Sequence, residues 1–149
     1  MNQRYAFVIM IKEKWWQEFL RLHHKGKQIQ SYVQRGQAPP KNTSLIIFYV
    51  TKPAAKIGGY AEFIERKVGK VEEMWKAHGD ESVLSSAEQY FDFVSGKQYV
   101  SFIRFKNLQE AANPISLNNV LPLLGANRLS RKGLYIDKEI ADRLIELMM

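Results

Sequence analysis

The segment GKQIQSYVQRG, residues 26–36, has a lysine at its entrance, an arginine at its exit and a tyrosine between them. Its composition is typical of a strand, and two histidines that end an amphipathic helix come directly before it. Because side chains on a strand alternate between faces, Lys27 and Arg35 share one face and Tyr32 shares the other with three glutamines. We expect the first face to be partly core and the second to be an open row of amides around the tyrosine.

The positive charge of the chain is concentrated in the part that contains this segment. The 149 residues carry a formal net charge of +7, and residues 1–60 hold ten Lys and Arg against two acids. Residues 61–149 hold twelve against thirteen. A one-sided basic region attracts polyanions and is the usual electrostatic footprint of nucleic-acid binding. The distribution favours a nucleic-acid partner, and the plain alternative is a solvated basic surface.

Length and composition limit the class of protein. A chain of 149 residues with 46% hydrophobic content fits one compact domain with a sizeable core. The absence of cysteine excludes a disulfide framework, a thiolate metal site and a cysteine nucleophile. The apolar stretches YAFVIMI and LIIFYV are shorter than the roughly 20 residues that span a bilayer, and the first lacks a small-residue cleavage site. We expect a cytoplasmic protein with no membrane association.

The histidines do not form a metal-binding pattern. His23 and His24 are adjacent on the predicted helix and point about 100° apart, while His78 lies far along the chain. We therefore predict no metal site and no cofactor. The neighbouring Trp15 and Trp16 also point in different directions, so we expect one in the core and the other at the surface, beside the basic cluster or at a subunit contact.

The order of predicted elements indicates an α+β domain. Strands and helices follow in the order β α β β β α α β α α, which favours a mixed or closed sheet over a doubly wound one. Gly58 and Gly59 interrupt a long strand, either as a bulge or as a place where a ligand approaches the backbone. Asp137 is predicted to cap a terminal helix, whose apolar stripe either packs on the domain or forms a homodimer contact.

Several phrases resemble a known superfamily. The phrase GK opens a strand that ends in arginine, a Pro/Lys turn and a hydrophobic strand follow, and KIGGYAEF comes next. This order resembles the PUA-like superfamily, nearest to its ASCH/EVE branch, where the comparable stretch has the form G-x-K-x-x-E-x-R. The later phrases EEMWKAHGDES, AEQYFDFVSGKQYVSFIRFKNL and NPISL are similar to a small, uncharacterised archaeal family within it.

The resemblance covers about residues 5–120. It implies a PUA-like mixed-strand pseudo-barrel decorated with short helices, and a positively charged cleft that binds RNA or a modified base in relatives. We accordingly predict a PUA-like domain over residues 1–120, with residues 121–149 as a C-terminal basic loop and helix packed on it.

The candidate binding residues are cations that we expect to gather around one cleft, together with one stacking aromatic. The predicted nucleic-acid-binding residues are Lys27, Tyr32, Arg35, Lys41, Lys52, Lys56, Arg128, Arg131 and Lys132.

An enzymatic alternative also follows from the resemblance. Some ASCH-like proteins are thought to be amidohydrolases that act on modified nucleosides through a lysine, a threonine and a glutamate. Lys27 and Glu62 match the lysine and the glutamate, but Gln30 or Ser31 occupies the position of the threonine hydroxyl. No acid lies between Lys27 and Arg35. We therefore predict a module that binds RNA or a modified nucleotide without catalysis, with a small amidohydrolase or a protein-interaction domain as alternatives.

Overall fold

The computed structural model describes residues 3–149, and its centre is a six-stranded sheet. The strands lie in the order β2-β5-β4-β3-β1-β6, and β1 and β3 are parallel while the other neighbours are antiparallel. The strands are β1 (Ala6–Ile11), β2 (Ile29–Arg35), β3 (Leu45–Val50), β4 (Lys56–Lys70), β5 (Tyr99–Ser116) and β6 (Leu134–Ile136). The helices are α1 (Glu13–His24), α2 (Val71–His78), α3 (Ala87–Phe93), α4 (Leu117–Leu124) and α5 (Lys138–Met148), and a 3₁₀ turn (Gly79–Glu81) follows α2. The predicted α+β class is confirmed.

Irregular pairing in the two longest strands bends the sheet. The β4–β5 ladder shifts register at three points, and the β3–β4 ladder shifts once. A bulge bends a strand and increases its twist. At Gly58 a Cβ atom would lie 2.8 Å from Nε1 of Trp16, and at Gly59 it would lie 2.2 Å from the carbonyl oxygen of Gln109. The register shift between Ile57 and Gly59 confirms the bulge interpretation, and the space beside the two glycines is filled by the Trp16 indole and the Gln109 backbone.

The sheet curls until β2, the edge strand, meets β1, which is fifth in the spatial order. In a flat sheet, four strand spacings of about 19 Å in total would separate β2 from β1. The Tyr32 hydroxyl of β2 nevertheless donates a hydrogen bond to the Met10 carbonyl of β1 at 2.9 Å. Within residues 3–149, no backbone ladder joins these two strands, so the sheet stays open. The result is a pseudo-barrel whose gap is bridged by a side chain.

Helix α1 fills the inside of the curl. Its residues Trp16, Phe19 and Leu20 are buried, and the Phe19 ring meets Phe105 edge-on with 5.1 Å between ring centroids. Nε2 of Gln30 donates to the Phe19 carbonyl at 3.0 Å and ties β2 to the helix. Of the adjacent tryptophans, Trp16 is therefore the core residue, as one of the pair was predicted to be, and Trp15 remains half-buried.

The predicted open row of amides on β2 is wrong. Gln30 is 1% exposed, and Tyr32 is half-buried against the α1 cluster. The reason is that the β1–α1–β2 connection lays the helix over this face of the strand. The opposite face packs Val33 against α2 and α3, so β2 is covered on both sides.

The C-terminal segment joins the same sheet. Strand β6 pairs with β1, and α5 packs Ala141, Leu144 and Met148 against the face of the sheet opposite α1. The Asp137 carboxylate accepts a hydrogen bond from the Ile140 backbone N–H at 2.9 Å, which confirms the predicted cap. The boundary at residue 120 and a homodimer through α5 stay predictions.

No helix in the described part of the chain combines the length and the apolar character needed to cross a membrane.

Replacing Tyr32 by phenylalanine tests the bridge across the gap. Tyr32→Phe leaves the Met10 carbonyl without its donor, so we expect the free energy of unfolding to fall by about 1–3 kcal/mol in urea titrations. Tyr99→Phe is the control, because Tyr99 is 43% exposed and its hydroxyl has no hydrogen-bond partner among residues 3–149. Equal unfolding midpoints for the two variants would contradict a stabilising bridge.

Candidate nucleic-acid interface

A groove of about 1040 Å³ lies on the face of the sheet opposite α1, where the parallel strands β1 and β3 end. We call it the basic groove. Its floor contains Met10 and Tyr49, and α4 forms part of its wall. The loop of residues 125–133 covers the remaining side and contributes Arg128, Ser130 and Arg131.

Two glycines fix the ends of this loop. Gly125 ends α4 with a φ of +63°, and Gly133 has a φ of +79° immediately before β6. A Cβ atom at Gly133 would lie 2.4 Å from the Val8 carbonyl oxygen, so only glycine lets the chain pass this close to β1. The Ser130 hydroxyl also accepts a hydrogen bond from the Lys132 backbone N–H at 3.2 Å. The loop is therefore held at both ends while its cations face solvent.

The charge of the basic groove has one sign. Lys52 follows the end of β3, and Arg128 and Arg131 come from the loop; all three are exposed, and the lining contains no acid. Arginine binds phosphate oxygens in a two-pronged geometry, and lysine acts as a compact point charge. The groove is thus suited to a chain of phosphates.

Tyr49 adds a hydroxyl to this surface. Its ring is buried, and burial raises the pKa of the phenol above its usual value, so Tyr49 is neutral at neutral pH. Within the described chain, its hydroxyl has no hydrogen-bond partner. Thr51 and Ser130 supply two more hydroxyls in the same groove. Tyr49 therefore offers a free proton donor next to the cations.

The structure does not bring the predicted binding residues into one cleft. Lys52, Arg128 and Arg131 line the basic groove, whereas Tyr32 and Arg35 line a second groove and Lys27 a third. The physical reason is that Lys27 comes just before β2 and Arg35 ends it, and the strand is about 20 Å long.

Three further cations lie outside all three grooves. Lys41 and Lys132 are exposed, and Lys56 is half-buried at the start of β4. Their roles in binding stay predictions.

The residues of the amidohydrolase alternative also lie apart. Nζ of Lys27 donates to the Asp80 carbonyl. Burial lowers the pKa of this lysine, and the charges of Asp80 and Glu81, which raise it, offset this only in part. Glu62 is exposed and accepts a hydrogen bond from the Asn107 amide. The acids beside Lys27 are therefore Asp80 and Glu81, and not Glu62.

Glu81 belongs to a network that the sequence analysis missed. Its two carboxylate oxygens accept hydrogen bonds from Nε and Nη2 of Arg104, each at 2.9 Å, and one of them also accepts from the Ser31 hydroxyl at 2.8 Å. Burial alone would raise the pKa of Glu81, but the hydrogen bonds from Arg104 and Ser31 outweigh burial and lower it. A carboxylate held ionised by an arginine is a weak general base, so we interpret the network as structural.

Replacing Glu81 tests the structural interpretation. Glu81→Gln removes one of the two carboxylate charges that face Arg104, the other being Glu65, and we expect the free energy of unfolding at pH 7 to fall by about 2 kcal/mol or more. Because folding lowers the pKa of Glu81, its contribution is present above the ordinary value of 4.5 and is lost as pH falls below it. Urea titrations at neutral and acidic pH should show the variant and the parent converging in acid.

Glu88→Gln is the control for this prediction, because Glu88 is exposed and forms no ion pair within residues 3–149. A constant difference between Glu81→Gln and the parent across this pH range would show that Glu81 does not stabilise the fold through its charge.

Solved structures confirm the predicted PUA-like, ASCH-related fold. The chain has the fold of ASCH-domain proteins. The crystal structure of the ASCH protein from Zymomonas mobilis superposes with a TM-score of 0.79 at 22% identity, over 97% of this chain and 96% of that chain. A serine-to-alanine variant of that protein gives a TM-score of 0.80 at 21% identity, over 99% of both chains. A tyrosine-to-phenylalanine variant gives 0.78 at 21% identity, over 97% of this chain and 99% of that chain.

The sequence comparison leads to the same organism. A protein of Zymomonas mobilis described as an ASCH domain-containing ribonuclease is 24% identical over 132 residues, which cover 89% of this chain and 87% of the relative. No family model matches the sequence.

Proposed function

We propose that this protein binds RNA in the basic groove. The observation that carries the proposal is the convergence of Lys52, Arg128 and Arg131, from two distant segments, on one groove whose lining contains no acid. The relative described as an ASCH domain-containing ribonuclease supports RNA as the polyanion. Three of the predicted binding cations, Lys52, Arg128 and Arg131, therefore carry this proposal, and they lie where β1 and β3 end.

The chemistry of the groove suits a ribose-phosphate chain. The two arginines and Lys52 neutralise phosphates, and each phosphate neutralised on a single strand adds about 0.7 to the slope of log affinity against log salt. The hydroxyls of Thr51 and Ser130 and the amide of Asn127 line the same groove. Such groups hydrogen-bond the 2′-hydroxyl, which distinguishes RNA from DNA.

Removing two of the cations tests RNA binding. We expect the double variant Lys52→Gln/Arg128→Gln to bind a short labelled RNA more weakly, with a salt slope smaller by ~1.4 because two phosphate contacts are lost. Fluorescence anisotropy titrations between about 50 and 200 mM salt measure both quantities.

The matched control is Lys106→Gln/Arg143→Gln, which removes the same charge from exposed positions outside the basic groove. If the two double variants lost equal affinity, RNA would be held by the overall charge of the protein and the groove would not be its site.

A second candidate function is RNA cleavage in the same groove, and Tyr49 is the observation that favours it. In such a cleavage the 2′ oxygen of the RNA bonds to phosphorus and releases its proton to solvent, while the bond from phosphorus to the 5′ oxygen breaks. The leaving 5′ oxygen needs a proton, and cations stabilise the charge that develops on the phosphate. Tyr49 carries an available proton, and Lys52 lies in the same lining. Solved variants of the Zymomonas protein replace a serine and a tyrosine, and this groove also contains one of each, Ser130 and Tyr49.

Replacing Tyr49 by phenylalanine separates cleavage from binding. We expect Tyr49→Phe to cleave a labelled RNA about 100-fold more slowly or worse, because the proton donor is gone, while its RNA affinity stays within about twofold. Tyr60→Phe is the control, since Tyr60 is half-buried on the neighbouring strand and does not line the groove. If the parent protein cleaves no RNA, the cleavage candidate is excluded and the binding proposal stands.

A further inference from the structure

A second, smaller groove lies on the other side of the end of β1. Its volume is about 250 Å³, and its lining includes Lys12, Trp15, Tyr32, Arg35 and Phe93. We call it the aromatic groove. Pockets that hold drug-sized ligands measure about 300–1,000 Å³, so this groove is suited to a smaller group such as a single base.

The walls of the aromatic groove are flat surfaces. Trp15 is half-buried in the first turn of α1, and Phe93 is 36% exposed at the end of α3. The guanidinium carbon of Arg35 lies 5.8 Å from the centroid of the Phe93 ring. Bases stack on aromatic rings, so Trp15 and Phe93 each offer a stacking surface in this groove, and the cation of Arg35 lies beside Phe93.

The charge of the aromatic groove indicates an anionic ligand. Lys12 and Arg35 are exposed, and no acid lines the groove. Aromatic surfaces alone would suit any flat apolar ligand, whereas the two cations add a preference for a phosphate next to it. The combination fits a nucleotide that is part of a strand.

The two grooves share a rim. Met10 lines the basic groove, and its carbonyl oxygen accepts the hydrogen bond from Tyr32, which lines the aromatic groove. The end of β1 therefore lies at the boundary of both grooves. A strand whose phosphates lie in the basic groove can cross this end and place a neighbouring base in the aromatic groove.

We propose that the aromatic groove is a base-binding subsite for the RNA strand held in the basic groove. This inference rests on the proposed function. The base stacks on Trp15 and Phe93, and Lys12 and Arg35 hold the flanking phosphate. Stacking is tolerant of base identity, so the subsite recognises single-stranded nucleotides and not a sequence.

The exposed ring of Phe93 provides the main test. We expect Phe93→Ala to bind a short single-stranded RNA about tenfold more weakly, within the roughly 5- to 150-fold range of one lost stacking contact, with an unchanged salt slope. The matched control is Phe91→Ala, because Phe91 is on the same helix and is 38% exposed but does not line the groove. Thermal unfolding midpoints equal to that of the parent show that neither truncation perturbs the fold.

Two further measurements separate the base from the phosphate. Arg35→Gln should reduce the salt slope by ~0.7, because it removes one phosphate contact. An abasic ribose-phosphate strand of the same length should bind Phe93→Ala and the parent equally. In addition, RNA should quench part of the tryptophan fluorescence of the parent, and this quenching should be absent in Trp15→Phe.

The outcomes distinguish the two proposals. If Lys52→Gln/Arg128→Gln loses RNA affinity but Phe93→Ala binds like Phe91→Ala, the proposed function holds and the base subsite is refuted. If neither change alters affinity, both proposals fail. If Phe93→Ala loses affinity equally for the abasic strand, the groove binds the backbone, and the base-stacking inference is wrong.

Discussion

The hydrogen bond from Tyr32 to the Met10 carbonyl is the constraint on which the arrangement of the protein depends. It joins strands that are four positions apart in the sheet. The two strands meet because the bulges in β4 and β5 curl the sheet. Once the sheet is curled, α1 has an interior to fill, and the end of β1 becomes a ridge with a groove on each side. Both candidate binding surfaces lie beside this ridge.

The cations of the basic groove come from segments whose positions are fixed by the connections of the fold. Lys52 is fixed because β3 must end beside β1, and Arg128 and Arg131 are fixed because α4 and β6 must be connected. All three side chains are exposed, so none of them packs in the core. Tyr49 differs from these cations because it is buried among core residues. It therefore contributes both to the packing of the core and to the lining of the basic groove.

Local patterns in the sequence predicted the elements well. Alternating and continuous apolar runs marked the strands, and the cap at Asp137 was read from residue type alone. The site was predicted less well, because two-residue periodicity separates the faces of β2 without showing which face a helix will cover. The pairing of Glu81 with Arg104 is likewise set by long-range contact, and only the arginine within the apolar run VSFIRF signalled that a partner was needed. Tyr49 was overlooked because it stands inside a strand that reads as pure core.

The glycines at positions 125 and 133 have a consequence for how such a protein can diversify. Because the chain is pinned where it leaves α4 and where it enters β6, the stretch between them can change its side chains without disturbing the register of β6 on β1. The fold thus separates a fixed frame from the loop that it holds, in the way that antibody domains separate their sandwich from their loops. Transplanting this loop between proteins of the same architecture is a route to altering ligand preference while the host scaffold is retained.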